Sequence, residues 1–358
     1  MAHRPILKIA LLGFGSTAHA FLSHLQQQEE NLPFTPAIGG IIFKEKGYFG
    51  FLDKAILLEE LPGIKPRMHQ FTGGVHRFLK KVAADVVVEL TPLNIQNGEP
   101  AAGYLRAGLN NGLHVITANK GPLAFHFAEL NRIAIEKKLR FRFGATVGNG
   151  IPIFSMKRYA APTVKLTGIR AQLNATTNYV LTRMQDGVPE IQAIAEAQAS
   201  GLCRNTPQLE LDGWDGSIQS AILANVLMRE IQVEHVFREK FQQRAPEIIK
   251  RTTKNIHKVR QIVNIENLPG EIKASVRLQV ISADDPFYHL NADDCAITLK
   301  TETMGDLTLT LKTPGKEEIA AALLADLYDI YYRGVTQQKD PELFELDRDE
   351  LMLENLGK

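Results

Sequence analysis

A glycine-containing segment near the start of the chain has the spacing needed to bind a phosphate group. Six residues carry the pattern G-x-G-x-x-A: Gly13, Phe14, Gly15, Ser16, Thr17 and Ala18. The first glycine of such a turn permits a tight bend, the second lets a phosphate approach the backbone, and the alanine allows close contact of helix and sheet. The helix that follows offers unpaired N–H groups and a positive dipole. The pattern predicts a site for the pyrophosphate of a dinucleotide coenzyme, with a glycine turn that binds nothing as the alternative.

Charged residues after the second predicted strand bear on which coenzyme is bound. An acidic residue at this position binds the ribose 2′-hydroxyl of NAD. Here Lys44 and Lys46 flank Glu45. The two lysines could hold a 2′-phosphate, which favours NADP over NAD, and Glu45 is the competing candidate.

One further residue is a candidate for proton transfer. Lys120 lies just past the predicted strand His114 to Thr117. Ligands of open α/β sheets bind at the carboxyl ends of strands, so a lysine there could donate a proton to a carbonyl. Asp215 opens a predicted helix, where an acidic residue is typical of the N-cap or the first turn.

The elements that would position these residues alternate between strands and helices. Apolar runs predict four strands: 7–12, 37–43, 85–90 and 114–117. Helical periodicity predicts helices from Ser16 onward, over 99–112 and over 123–138. β-branched runs separated by amphipathic helices indicate a parallel sheet covered on both faces. The N-terminal part is therefore expected to be a Rossmann-type, doubly wound α/β domain.

The pattern changes near residues 146–152, where glycines and a proline predict a domain boundary. We expect a dinucleotide-binding domain over 1–147, a second α+β domain over 148–312, a final helix over 316–335 that packs back on the first domain, and an acidic tail over 336–358. The second domain is predicted from a strand at 166–173, a helical region at 178–228, a basic helical segment at 240–260, a strand at 272–280 and a hairpin at 296–299 and 307–311.

The composition bears on which partners, structural sites and cellular locations can be expected. The formal net charge of the 358 residues is +1, so bulk charge gives no argument for nucleic acid or an anionic membrane as a partner. The two cysteines exclude a disulfide scaffold and cysteine-rich metal sites. No apolar run approaches a membrane span, and the N-terminus does not resemble a cleaved leader, so we expect a cytoplasmic protein. The ten histidines lack zinc-site spacing, and we expect no metal.

Five segments in order carry a resemblance to a known family: 89–92 (ELTP), 97–100 (NGEP), 117–124 (TANKGPLA), 145–153 (ATVGNGIPI) and 173–179 (LNATTNY). This set resembles the homoserine dehydrogenases. The resemblance implies a Rossmann domain, a second domain that carries catalysis and dimer contacts, and reversible hydride transfer between NAD(P) and the aspartate 4-semialdehyde/homoserine pair. It also implies a homodimer, a small-molecule substrate and a place in threonine and methionine biosynthesis.

The resemblance also implies roles for individual residues. Lys120 and Asp215 match catalytic residues of the family. The residues that match coenzyme-binding positions are Thr91, Pro92, Asn119 and Gly315. The residues that match the substrate pocket are Asn174, Thr176, Thr177 and Asn178.

The chain departs from the family at the substrate site. Arg204 stands where the family has a glutamate that receives the substrate ammonium, and arginine would repel that group. Gln219 replaces a lysine four residues after Asp215, and an amide cannot shuttle a proton at neutral pH. Gly144 replaces a glutamate linked to a monovalent-cation site.

Three interpretations of these departures stay open. A divergent dehydrogenase could use Arg204 to hold a carboxylate or phosphate on its substrate, with Gln219 nearby. A protein that has lost hydride transfer could still bind the dinucleotide. Alternatively, the loop alignment is shifted and homoserine chemistry survives through other side chains, for which Glu210 and Asp212 lie close enough in sequence.

Overall fold

The computed structural model describes residues 4–44, 48–51, 55–63, 69–203, 207–252 and 256–335. The chain folds into two compact units. Unit 1 contains the described residues up to Gly150 together with those from Gly315 onward, and unit 2 extends from Ile151 to Pro314.

Unit 1 is built on an eight-stranded sheet with the order β5-β3-β2-β1-β6-β7-β8, in which β4 also pairs with β2. Its strands are β1 (Ile6–Leu12), β2 (Thr35–Lys44), β3 (Tyr48–Phe51), β4 (Ile56–Leu57), β5 (His69–Gln70), β6 (Val86–Glu89), β7 (His114–Thr117) and β8 (Phe141–Arg142). The strands β1, β2, β6, β7 and β8 run parallel, whereas β3, β4 and β5 are added antiparallel. The parallel strands confirm the predicted Rossmann-type α/β class.

Helices cover both faces of this sheet. They are α1 (Ser16–Gln27), α2 (Gly74–Lys81), α3 (Ala101–Asn110), α4 (Lys120–Glu136) and α11 (Lys316–Ile330). On one face Ile9 and Leu11 of β1 share a buried cluster with Phe21 of α1 and Leu327 of α11. On the other face α3 approaches so closely that a Cβ at Gly108 would lie 3.1 Å from Val115. Burial on both faces explains why these strands read as continuous apolar runs.

Unit 2 is built on a six-stranded sheet with the order β10-β12-β11-β9-β13-β14. Its strands are β9 (Leu166–Gln172), β10 (Phe237–Arg238), β11 (Lys258–Leu268), β12 (Glu271–Ile281), β13 (Cys295–Thr301) and β14 (Asp306–Leu311). Its helices are α5 (Ile153–Ser155), α6 (Ala175–Gln185), α7 (Glu190–Ala199), α8 (Pro207–Leu211), α9 (Trp214–Leu227) and α10 (Phe241–Lys250). All neighbouring strands are antiparallel except β10 and β12, which confirms a mixed α+β second domain.

Two sequence predictions in unit 2 were wrong in their details. The helical region predicted over 178–228 is four separate helices, α6 to α9, because turns interrupt it at Gly187, Gly201 and Gly213, which all have positive φ. The basic segment predicted as a helix over 240–260 ends its helix at Lys250 and enters β11 at Lys258. Arg260 is consequently buried in a sheet rather than placed on a solvated helix face.

Candidate active site

Gly13 forms the bend between β1 and α1. Its φ is +97°, a left-handed conformation that favours glycine. A Cβ at Gly13 would lie 2.6 Å from the carbonyl oxygen of Leu90, and the Gly13 amide donates to Ile42 O at 2.8 Å. The turn is therefore fixed against β2 and against the loop that follows β6, and both the conformation and the available space require glycine.

Gly15 leaves open space at the N-terminus of α1. It is the N-cap residue, with no side-chain cap and no acidic residue in the first turn. A Cβ built on Gly15 would meet no heavy atom within 4 Å. Ser16 is exposed, Thr17 is half-buried and Ala18 is buried against the sheet. An open helix N-terminus beside a glycine fits the pyrophosphate of a dinucleotide.

Aromatic rings and Lys44 lie close to this turn. The Phe14 ring centroid is 4.5 Å from that of His19 and 5.9 Å from that of Phe43. Lys44 is exposed at the end of β2. Lys46 and Glu45, the other two residues on which coenzyme choice was predicted to depend, lie outside the described residues.

The ends of β6 and β7 are joined through Glu89, a residue to which the sequence analysis assigned no role. The carboxylate accepts hydrogen bonds from the Thr91 amide at 2.7 Å, from the Thr91 hydroxyl, and from the Thr117 hydroxyl at 2.7 Å. Burial raises the pKa of the Glu89 carboxyl, and these hydrogen bonds act in the opposite direction. The sequence contained a signal for this role, because Glu89 ends a run of valines and a charged group in a buried strand needs hydrogen-bond partners.

Lys120 is the first residue of α4 and is half-buried. Asn119 caps the helix by accepting from the Gly121 amide at 3.0 Å, and it donates to Thr91 O at 3.1 Å. A Cβ at Gly98 would lie 2.5 Å from Gly121 O, so the loop after β6 packs directly on the start of α4. The position of Lys120 is thereby fixed from both loops.

Gly315 and Pro92 occupy different environments. The Gly315 amide donates to the Glu318 carboxylate at 2.7 Å, so a side chain of the chain itself takes this N-terminal amide of α11. Pro92 is exposed, directly after the loop residue Thr91. The predicted coenzyme residues of unit 1 thus include one amide that is already paired.

In unit 2 the predicted pocket residues begin α6, and their polar atoms bond within the unit. Asn174 accepts from the Thr177 amide at 2.8 Å as the N-cap. The Thr176 hydroxyl donates to Leu202 O at 2.8 Å, and the Thr177 hydroxyl donates to Glu210 O at 3.0 Å. These hydroxyls therefore hold the segments on either side of residue 204 against α6.

Asp215 and Gln219 lie one turn apart on α9. The Gln219 side-chain amide donates to Asp215 Oδ2 at 2.7 Å, and Gln219 is buried whereas Asp215 is half-buried. Gly213 makes this entry to α9 with a φ of +77°, and a Cβ there would lie 3.0 Å from Val276. The amide thus fixes one oxygen of the carboxylate without adding a titratable proton.

Glu210 lies in α8 and Asp212 directly follows this helix, and the two acidic residues have different surroundings. Asp212 accepts from Gln208 at 3.0 Å on an exposed face. Glu210 is half-buried, and burial together with the charge of Glu210 raises the pKa of the Cys203 thiol. Cys203 is buried, and a raised pKa leaves less of the reactive thiolate at neutral pH. Arg204 itself lies outside the described residues.

Two family models match the chain: the NAD binding domain of homoserine dehydrogenase over residues 13–143 and homoserine dehydrogenase over residues 152–328. The NAD(+)-dependent homoserine dehydrogenase of Pseudomonas canavaninivorans is 31% identical over 350 residues, which cover 93% of this chain and 98% of that protein. The chain belongs to the homoserine dehydrogenase family. It is thus an NAD(P)-dependent oxidoreductase.

Other members of the family agree over nearly full length. The homoserine dehydrogenase of Sulfurisphaera tokodaii is 29% identical over 90% of this chain and 97% of its own. The crystal structure of a putative homoserine dehydrogenase from Archaeoglobus fulgidus superposes with a TM-score of 0.79 at 25% identity, covering 91% of this chain and 99% of that one. The two-domain architecture is therefore that of the family.

The structure of this homoserine dehydrogenase homologue leaves no room for a side chain at Gly144, where the sequence predicted a departure from the family. The Gly144 amide donates to Asp326 Oδ2 at 2.7 Å, and a Cβ at Gly144 would lie 3.0 Å from the Asp326 carboxylate. The carboxylate of α11 occupies the space that a side chain at 144 would need.

The described ranges were compared with the requirements of a metal site and of a membrane-spanning helix. These ranges contain no group of three or more histidine, cysteine, aspartate or glutamate side chains arranged to hold a metal ion. Among the helices of the described residues, none combines the length and apolar character that crossing a membrane requires.

Proposed function

We propose that the chain interconverts L-homoserine and L-aspartate 4-semialdehyde, with NADP preferred over NAD. Family membership supports the reaction, and the open N-terminus of α1 at Gly15 is the single observation on which the coenzyme site rests. Lys44 at the end of β2 supports NADP, since a cation there can pair with a 2′-phosphate. The Pseudomonas canavaninivorans relative is named for NAD(+), so both coenzymes belong in the test.

In unit 1 the first amides of α1 would hold the pyrophosphate, and Thr91 and Pro92 would lie beside the nicotinamide. The coenzyme, when bound, supplies or accepts the hydride. Lys120 would donate a proton to the carbonyl oxygen during reduction and take it back during oxidation. Asn119 supports this role because its side chain caps α4 and bonds the Thr91 loop.

In unit 2 Asp215 would bind the substrate near the reacting carbon, with Gln219 holding its second oxygen. Glu210 is our candidate to receive the substrate ammonium in place of the glutamate that Arg204 replaces. The bonds from Thr177 to Glu210 O and from Thr176 to Leu202 O support a fixed position for this region. The entrance of α6, with Asn174 as its cap, would form the wall of the pocket.

A second candidate function is oxidoreduction of an acidic carbonyl or hydroxy substrate held by Arg204. The bond from Gln219 to Asp215 favours it, because this pair contains no ammonium group to shuttle a proton. On this alternative Lys120 alone supplies the proton, and the arginine pairs with a carboxylate or phosphate.

We further infer a cytoplasmic homodimer. A chain with only two cysteines, both buried, fits a reducing compartment, and the outer position of β14 in the unit 2 sheet offers an edge that a second copy could extend. A role in the synthesis of threonine and methionine follows from the proposed reaction.

The deciding experiment measures reduction of NADP and of NAD by the full-length chain with L-homoserine and with hydroxy acids that carry an extra carboxylate or phosphate. Turnover with homoserine that is faster with NADP supports the proposal. The Lys120→Gln variant should retain coenzyme affinity and lose about 10²–10⁴-fold in kcat, the usual contribution of one acid–base group. Turnover of acidic substrates alone would replace the first candidate with the second.

A further inference from the structure

Glu89 occupies a central position in unit 1 that its charge makes costly. It is the last residue of β6 and pairs with Leu12 of β1 and Thr117 of β7. Its exposure is 0%. The residues before it, Val86 to Val88, are the apolar kind expected in a strand buried on both faces. A carboxyl group in this setting loses its hydration and needs several hydrogen bonds in return.

The hydrogen bonds of Glu89 are those of an ionised carboxylate. One oxygen accepts from the amide and the hydroxyl of Thr91, and the other accepts from the hydroxyl of Thr117 at 2.7 Å. The Thr117 hydroxyl itself accepts from the Asn119 amide at 2.9 Å, so its own proton is free to point to Glu89. An ionised carboxylate only accepts hydrogen bonds, and the three groups around Glu89, namely the Thr91 amide and the Thr91 and Thr117 hydroxyls, all donate.

The same carboxylate joins the two loops on which the proposed chemistry depends. Thr91 belongs to the loop after β6, whereas Thr117 and Asn119 lead into Lys120 at the start of α4. Asn119 closes the connection by donating back to Thr91 O at 3.1 Å. Loss of Glu89 would remove the hydrogen bonds that tie both loops to the end of β6.

We propose that Glu89 is a positioning residue for hydride transfer, and that its negative charge favours the oxidised nicotinamide over the reduced one. The oxidised ring carries a positive charge that the reduced ring lacks, and a carboxylate inside the protein stabilises a nearby cation more strongly than one in water does. The inference rests on the proposed function, in which the Thr91 loop lies beside the nicotinamide.

The test compares coenzyme dissociation constants by calorimetry on the full-length chain without substrate. Glu89→Gln keeps the size of the side chain and removes the charge. The ratio of the Kd for NADP+ to the Kd for NADPH should rise about tenfold or more in this variant, which corresponds to about 1.4 kcal/mol. Thr117→Val is the matched control, because it removes one hydrogen bond and leaves the charge. Its ratio should stay within about twofold of the native value while kcat falls.

An unchanged ratio in Glu89→Gln would overturn the inference, as would an equal loss of affinity for both coenzymes, which a merely structural role produces. If this variant does not fold, Glu89→Met takes its place, because the thioether side chain has a similar length and carries no charge. The ratio must rise in Glu89→Met as well, and an unchanged ratio contradicts the inference. The 2′-phosphate is common to both coenzymes and cancels.

These outcomes separate the inference from the proposed function. A native chain that binds both coenzymes and turns over homoserine, with an unchanged ratio in Glu89→Gln, sinks only the inference. A native chain that binds neither coenzyme sinks both.

Discussion

His114 should make unit 1 sensitive to acid. The imidazole is 3% exposed at the start of β7, and its Nδ1 accepts from the Arg140 amide at 2.9 Å. Gly334 packs against the ring, since a Cβ there would lie 2.8 Å from His114 Cε1. Burial, followed by the charges of Arg140 and Arg142, lowers the pKa of His114 to about 4. Protonation would break the Nδ1 bond and place a cation beside two others.

The sign and size of the effect follow from this shift. Above the unfolded-state pKa of 6.5 the imidazole is neutral in the folded and the unfolded state, so His114 does not reduce the free energy of unfolding. Below it the unfolded chain takes up a proton that the folded chain refuses, so stability falls as the pH drops from 6.5 to about 4. At about 1.4 kcal/mol per unit of pKa, the loss reaches about 3 kcal/mol.

The assay is hydrogen exchange followed by mass spectrometry from pH 7.5 to pH 4.5, corrected for the intrinsic exchange rate. It is preferred to fluorescence because the single tryptophan, Trp214, reports on unit 2. In His114→Asn the side-chain oxygen can still accept from the Arg140 amide, but the titrating group is gone. Unit 1 peptides of the native chain should lose up to about 3 kcal/mol more protection than those of the variant across this range. Parallel losses in the two proteins would refute the reasoning.

Three further predictions concern single residues. Gln219→Lys should raise homoserine turnover about 10²-fold or more by restoring a proton carrier beside Asp215, and steady-state kinetics that show no gain would exclude a limiting role for the missing ammonium. Gly13→Ala should lower the free energy of unfolding by about 1–3 kcal/mol, because φ is +97° and the new Cβ would meet Leu90 O; a denaturant midpoint equal to the native one would contradict this. Cys203 should react with iodoacetamide more slowly than free cysteine at pH 8, since burial and Glu210 raise the pKa of its thiol, and rapid alkylation of the folded chain would argue otherwise.

Local sequence patterns predicted the parts of the fold that depend on local signals. The turn at Gly13 stands between a buried strand and an amphipathic helix, and all three are visible in the sequence. The alternation from Ile272 to Val280 predicts β12, and Met304-Gly305-Asp306 predicts the β13–β14 hairpin, whose register pairs Leu299 with Leu307. Period and turn chemistry decide these elements without help from distant residues.

Elements that depend on tertiary pairing could not be predicted in this way. The strands β3, β4 and β5 have four residues or fewer; β3 and β4 form by pairing with β2, and β5 forms by pairing with β3. The start of β11 was not predicted, because the basic residues of this segment are typical of a solvated helix face. Arg260 is instead buried, with its guanidinium donating to Thr182 at 3.1 Å and to Val259 O at 2.9 Å. Long-range pairing overrides local charge at such a position.

For the candidate site, the sequence indicated which residues belong to it but not what they bond. The hydroxyls of Thr176 and Thr177 could be assigned to a substrate segment, yet their acceptors, Leu202 O and Glu210 O, lie 26 and 33 residues away. The connection of Glu89 to Thr117 likewise spans 28 residues. Only the tertiary fold brings these groups together.

The most direct test of a dinucleotide on the N-terminus of α1 is calorimetric titration of Gly15→Val with NADPH and NADH beside the native chain. The φ of Gly15 is −93° and its Cβ position is open, so the variant should fold with an unchanged melting temperature. The native chain should bind NADPH, and the variant should lose at least about 10²-fold in affinity, because the new side chain fills the space that the pyrophosphate needs. Equal affinity in the folded variant, or no heat from the native chain with either coenzyme, would contradict it.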